Sequence, residues 1–338
     1  MTESALQMLQ GRLCPWLKGS LSRLEAAYAA QRLGHAWLIG GPAGSGKLNL
    51  ALIFARRLLE RGPKEDPRDL GADDAVAAYA GRHAAADHHP DLHWLFPEED
   101  KTAISVEQIR SLGAVLSLKS HAGGAKVVLF EPADGMTTAA ANALLKSLEE
   151  PSPDTYLLLL ADQPNRLPAT IRSRCQRLDV PRPTPSELAT WLGASPENLA
   201  AAWTLTGGSP LQIAALIATD KSNEANRLSD QLVLVSQDKA PIQAVVDSWV
   251  KNDPELALTW LTRELHRQIR ARLAPGSTSV TDRGAVALHN AWRELTLRRL
   301  FEQHEKADRL LSLVGSGINL ELGLQALLLG FQAQRGST

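Results

Sequence analysis

Ala36-Trp37-Leu38-Ile39 runs through Gly40 directly into Gly41-Pro42-Ala43-Gly44-Ser45-Gly46-Lys47-Leu48, and an apolar stretch with helical period follows from Leu50 to Leu59. Strand, glycine loop and helix in that order are what a phosphate-binding loop requires. The glycines let backbone N–H groups converge on phosphate oxygens, the lysine reaches the terminal phosphates, and the helix adds its N-terminal dipole. The motif ends one residue wrong. Position 48 is leucine, where serine or threonine ordinarily supplies a hydroxyl to magnesium. The expectation is a nucleotide-hydrolase fold whose chemistry has decayed, leaving a mechanical or architectural role. Two readings of the loop stay open: a weak phosphate cradle formed by Gly41, Gly44, Gly46 and Lys47, or a strand-to-helix turn that holds no ligand.

Outward from the loop the chain alternates strand and helix. Residues 2–33 read as helical, with Leu13, Trp16, Leu17, Leu21, Leu24 and Tyr28 on one stripe. From Arg61 to about Ala86 the composition turns to Gly, Pro, Asp and Ala, which predicts a surface excursion carrying no core. A strand is expected at Leu92–Leu95 and a helix from Ser105, a plausible N-cap, to Leu118. Val127–Phe130 is a continuous apolar run of the buried parallel kind, a helix capped by Thr137 or Thr138 stops before Pro151, and Tyr156–Ala161 is another buried strand. Such alternation predicts a parallel α/β sheet with helices on both faces. Past Pro181 every signal is helical. Helices are expected near Ser186–Leu192, Pro196–Thr206, Pro210–Ala218, Leu256–Ala274 and Ala285–Leu311. The expected division is an α/β domain over residues 1–180, a small helical lid over 181–218 and an all-α domain over 219–338.

A second requirement of hydrolysis is also missing. The strand ending at Phe130 is followed by Glu131-Pro132, and although Glu131 could contact a metal or be a solvated acid, Pro132 has no side chain to act as a base.

Asn142-Ala143-Leu144-Leu145-Lys146-Ser147-Leu148-Glu149-Glu150-Pro151, followed by Ile171-Arg172-Ser173-Arg174-Cys175, resembles the clamp-loader branch of the AAA+ ATPases. The wider frame is similar to the delta-prime family of bacterial DNA polymerase III, through Cys14-Pro15-Trp16-Leu17, Gly34-His35-Ala36-Trp37-Leu38-Ile39 and Glu131-Pro132-Ala133-Asp134. This resemblance covers residues 12 to about 215; beyond it only helical character and length match. It implies that Arg174 is an arginine finger supplied in trans to ATP held by a neighbouring subunit. It further implies that the all-α domain is an oligomerisation collar, and that gamma or tau and delta subunits are partners, with the sliding clamp and primed DNA engaged indirectly. Read without the resemblance, Arg174 is an ordinary surface or interface ion-pair partner. Many relatives carry four cysteines between the loop helix and the next strand as a structural zinc module, but this chain has none there. His83, His88, His89 and His93 lie in that neighbourhood at spacings that fit no usual structural site, so no zinc is expected. Leu211 stands where ATP-hydrolysing relatives present an arginine, a third lost element. No cofactor is required on this reading, and any ATP would be held weakly without hydrolysis. The alternatives are an active ATPase subunit similar to gamma or tau and a stand-alone nucleotide-binding adaptor.

Composition agrees with a globular partner protein. With 36 Lys and Arg against 37 Asp and Glu, the net charge of −1 argues against a chain-wide nucleic-acid or membrane surface, though Arg172, Arg174 and Arg177 could form a local basic strip. Only Cys14 and Cys175 are present and no apolar run is long enough to span a membrane, so a reducing, cytoplasmic setting is expected. Cys175 reads as a buried, inert thiol rather than a reactive one.

Overall fold

The computed structural model describes residues 4–61, 66–82, 89–99, 101–221, 223–274, 283–314 and 319–332. The chain divides into two compact units, Met1–Gly193 with Ser209–Ala215, and Ala194–Gly208 with Leu216–Thr338.

The first unit opens with helix α1 (Ala5–Gly11), the two-residue strand β1 (Arg12–Leu13) and helix α2 (Lys18–Ala29). Strand β2 (Ala36–Gly40) leads into the glycine loop and helix α3 (Lys47–Leu59). The short strand β3 (Arg68–Asp69), which pairs in parallel with β1, and helix α4 (Ala72–Ala80) come next. Then follow strand β4 (Leu92–Leu95), helix α5 (Val106–Leu116), strand β5 (Lys126–Phe130), helix α6 (Thr138–Glu149), strand β6 (Thr155–Ala161), the one-turn helix α7 (Ala169–Arg172), strand β7 (Gln176–Asp179) and helix α8 (Pro185–Leu192). Five strands form one parallel sheet in the order β4-β5-β6-β2-β7. Side chains alternate between its faces, as the pleat requires. Trp37, Ile39, Val127, Leu129, Leu158 and Leu160 join one core with α3, whereas Ala36, Leu38, Val128, Phe130, Leu157 and Leu159 join the other with α5 and α6. The loop-bearing strand β2 is interior, flanked by β6 and β7, which fixes the loop between their C-terminal ends.

The second unit is helical: α9 (Pro196–Thr206), α11 (Glu224–Ser236), α12 (Ile242–Asn252), α13 (Pro254–Leu273), α14 (Arg283–Ala291), α15 (Leu297–Ser312) and α16 (Leu320–Leu328), with α10 (Pro210–Ala218) beginning in the first unit. Its core is aromatic at the centre. Trp249, Trp260, Trp292 and Phe331 are all buried, and Trp292 stacks on Phe331 with centroids 4.8 Å apart. Among the described residues no helix is long and apolar enough to cross a membrane.

The α/β class and most elements match the sequence reading, with four differences. The stretch read as helical over 2–33 is broken, because Arg12 is extended and Pro15 starts a new turn that leads into α2. The stretch from Arg61 carries core after all: Leu70, Ala75 and Ala78 are fully or almost fully buried, and alanines pack closely without the size contrast that marks an amphipathic helix. Strand β7 is too short and polar to show as apolar period. The helix expected over Ala285–Leu311 is two, because the Arg272 guanidinium donates to the carbonyls of Trp292 and Leu295 and Thr296 caps α15 through the Arg299 N–H.

Candidate phosphate-loop cleft and arginine edge

Helix α3 begins from Gly46, which sits in the left-handed region at φ 89°, preceded by Gly44 at φ 70°. No other residue fits either place well. A Cβ on Gly46 would lie 2.9 Å from Leu17 Cδ1, and one on Gly44 would lie 2.2 Å from Ser209 Oγ. Ser209 Oγ donates to Ala43 O at 2.9 Å and the Leu211 N–H to Gly44 O at 3.2 Å, so the loop's carbonyls are held from the start of α10.

Lys47 does not reach outward. Its side chain is 7% exposed, and the ammonium donates to Gly41 O at 2.6 Å, Pro42 O at 2.9 Å and Asp162 Oδ1 at 2.6 Å. An ammonium has three protons to give, and three acceptors take them. Asp162 follows the last residue of β6, and since Gly40 pairs with Ala161, it stands level with Gly41. Its place is set from the turn after β5: the Asp134 carboxylate accepts the N–H groups of Asp162 at 3.1 Å and of Gln163 at 2.7 Å. Sequence reasoning quoted Asp134 only as part of a family signature and missed Asp162 altogether.

A cleft of about 600 Å³ opens over the loop. Gly44, Gly46, Lys47, Leu48, Tyr79, Arg82, Glu131, Pro132, Asp162 and Leu211 are among its lining residues. Leu48 is 3% exposed and packs into the core. Glu131 Oε2 accepts from Trp94 Nε1 at 3.2 Å and Oε1 lies 3.6 Å from Arg82 Nε. Leu211 also lines the cleft, where it offers no charge. The Tyr79 hydroxyl accepts the Asn49 N–H at 3.2 Å, one of the first amides of α3. Burial pushes the Tyr79 phenol well above its ordinary range, so it remains a neutral hydroxyl.

Asn49 fastens α3 to the N-terminal segment. Its side chain, fully buried, accepts from Cys14 N at 2.9 Å and donates to Leu9 O at 2.8 Å and Arg12 O at 2.6 Å. Burial also pushes the Cys14 thiol up to about 12. The thiolate is the nucleophile, so we expect Cys14 to resist a thiol reagent at pH 8 in the folded protein and to react fully once denatured. Mass spectrometry of both samples checks this. Cys175 is likewise pushed up to about 12 by burial.

Arg174 is at the other edge of the sheet. It lies between α7 and β7, and because Gln176 pairs with Trp37 in a parallel ladder, this segment enters at the N-terminal end of the strands, opposite the loop. From the level of Trp37 to Gly41 is about 13 Å at ~3.3 Å per residue, and Arg174 is two residues further back. Its side chain is 37% exposed; Nη2 meets Glu149 Oε1 at 2.6 Å, and Nη1 donates to Thr170 O at 3.0 Å. Arg177 pairs with Asp179, and Arg172 Nη1 donates to Asn165 Oδ1 at 3.2 Å. The structure therefore brings Gly44, Gly46, Lys47, Glu131 and Leu211 to one cleft, keeps Gly41 behind it as an acceptor for Lys47, and leaves Arg174 far from it. His83 and His88 lie outside the described residues; His89 Nδ1 accepts from Asp91 N at 3.1 Å.

The family profile described as "DNA polymerase III, delta subunit" matches residues 17–184. The DNA polymerase III subunit delta′ of Pseudomonas aeruginosa is 37% identical over 251 residues, 73% of this chain and 74% of that protein. That of Escherichia coli K12 is 38% identical over 214 residues, 62% of each. That of Yersinia pestis is 30% identical over 333 residues, 94% of this chain and 95% of that protein. Identity at this level along nearly the whole length decides the family. The chain belongs to the DNA polymerase III subunit delta′ family.

Proposed function

We propose that this clamp-loader subunit works as a non-hydrolysing member of the DNA polymerase III clamp loader, presenting Arg174 to ATP bound by an adjacent gamma or tau subunit. The observation that carries the reading is the position of Arg174 on the sheet edge opposite the chain's own glycine loop. An arginine there cannot serve a phosphate on its own loop, whereas it is exposed enough to meet one on a neighbour. A guanidinium delivered in trans neutralises charge developing on the transferring phosphoryl group. The loop, by contrast, lacks the magnesium hydroxyl at Leu48, the base at Pro132 and an arginine at Leu211. No cofactor is needed for such a role, and no zinc.

The helical second unit would then serve as the collar, with delta as a further partner and the sliding clamp on primed DNA as the object of the work, in the cytoplasm. A subunit that does not change with its own nucleotide gives the others a fixed reference against which to move. The reading as an active motor subunit is not favoured, since the relatives above are delta′ subunits and three hydrolysis elements are absent together. The purified chain alone is expected to hydrolyse ATP no faster than a buffer blank. Turnover by the lone chain that Lys47→Ala abolishes would replace this reading with the motor.

A further inference from the structure

The cleft over the loop is large enough for a nucleotide, within the range of ~300–1,000 Å³ usual for small-molecule sites, so size is not what would keep one out. Charge is. Among the described residues the charged ones lining it are Lys47 and Arg82 against Glu131 and Asp162, two of each sign. A polyphosphate entering there meets no net positive charge from the described side chains, and Leu48 provides no hydroxyl to bring magnesium in as compensation.

We propose that Asp162 is a resident anion of the phosphate loop: its carboxylate holds Lys47 inward and so keeps nucleoside di- and triphosphates out of the cleft. Three observations converge on it. The Lys47 side chain is almost fully buried and its ammonium has all three protons placed, one of them on Asp162, so a phosphate can gain the lysine only by displacing an existing acceptor. The carboxylate is itself aimed, since Asp134 accepts the N–H groups on both sides of the Asp162 Cα. At the helix start, the Tyr79 hydroxyl already takes the Asn49 amide that an anion would otherwise share. The cation and one helix amide of the loop are thus satisfied from within the chain, so a phosphate can gain either only by displacing a contact already made.

The contact is independent of Arg174, so it can be tested on the isolated full chain. Fluorescent ADP is titrated into native protein, Asp162→Asn, Asp162→Ser and Asp162→Asn/Lys47→Ala at low salt without metal, with anisotropy as readout. Either single variant is expected to bind at least about tenfold more tightly than native, and the double variant to lose that gain. Equal affinity in native and in folded Asp162 variants overturns the proposal, as does a gain that survives Lys47→Ala. Amine labelling of the native chain adds a test that no folding defect can spoil. Lys47 is expected to label far more slowly than exposed Lys119, and labelling at the same rate overturns the latch.

Discussion

Arg174→Ala in the assembled clamp loader is expected to lower ATP turnover at the adjoining subunit's site by about 10³-fold, the lower end of what an arginine finger contributes. The effect is large because one delocalised cation faces charge that grows as the phosphoryl group moves, inside a site water has left. The same substitution should change the stability of the isolated chain by no more than ~0.5 kcal/mol, as expected for a surface position. Both partners of the Arg174–Glu149 pair are more than a third exposed, and such pairs are screened by solvent. Lysine is not an adequate replacement, since it cannot offer two parallel donors to a phosphate, so Arg174→Lys should recover little of the rate. Single-turnover hydrolysis in the assembly, alongside thermal unfolding of the chain alone, separates the two effects.

Asn49→Ala is expected to destabilise the first unit by about 3 kcal/mol or more, from three hydrogen bonds of the buried side chain at roughly 1 kcal/mol each. The cost is raised by the Cys14 N–H, which loses its acceptor in a place water does not reach. No apolar replacement restores this. Asn49→Leu should be at least as damaging, since it adds bulk where polar groups of α1 and β1 converge. Denaturant unfolding of both variants, read as a shift in midpoint at constant slope, checks the value.

Much of this was legible in the sequence because it depends on local pattern. The glycine loop, the wrong residue at position 48 and the proline at 132 are each visible where they stand, and the apolar runs of β2, β5 and β6 announce a sheet covered on both faces. Caps were legible too: Ser105 and Thr137 both accept the amide three residues on. What was hidden depends on distance along the chain. Lys47 and Asp162 are 115 residues apart, and no spacing rule joins them. Tyr79 was lost in an alanine-rich stretch whose small residues pack tightly but give little periodic contrast. The break before α15 needed Arg272, more than twenty residues upstream, to take the carbonyls of the intervening turn. Arg174 was found from a family signature; its distance from the chain's own loop follows only from the parallel register of β7 on β2.

The central claim is that this chain assists hydrolysis on another subunit and performs none itself. Its most direct test is single-turnover ATP hydrolysis by the full clamp loader on primed DNA with the sliding clamp, comparing assemblies that carry native chain, Arg174→Ala or Lys47→Ala. The account predicts that Arg174→Ala removes a hydrolysis phase and that Lys47→Ala leaves every phase at its native rate. Loss of a phase with Lys47→Ala, and none with Arg174→Ala, would contradict it.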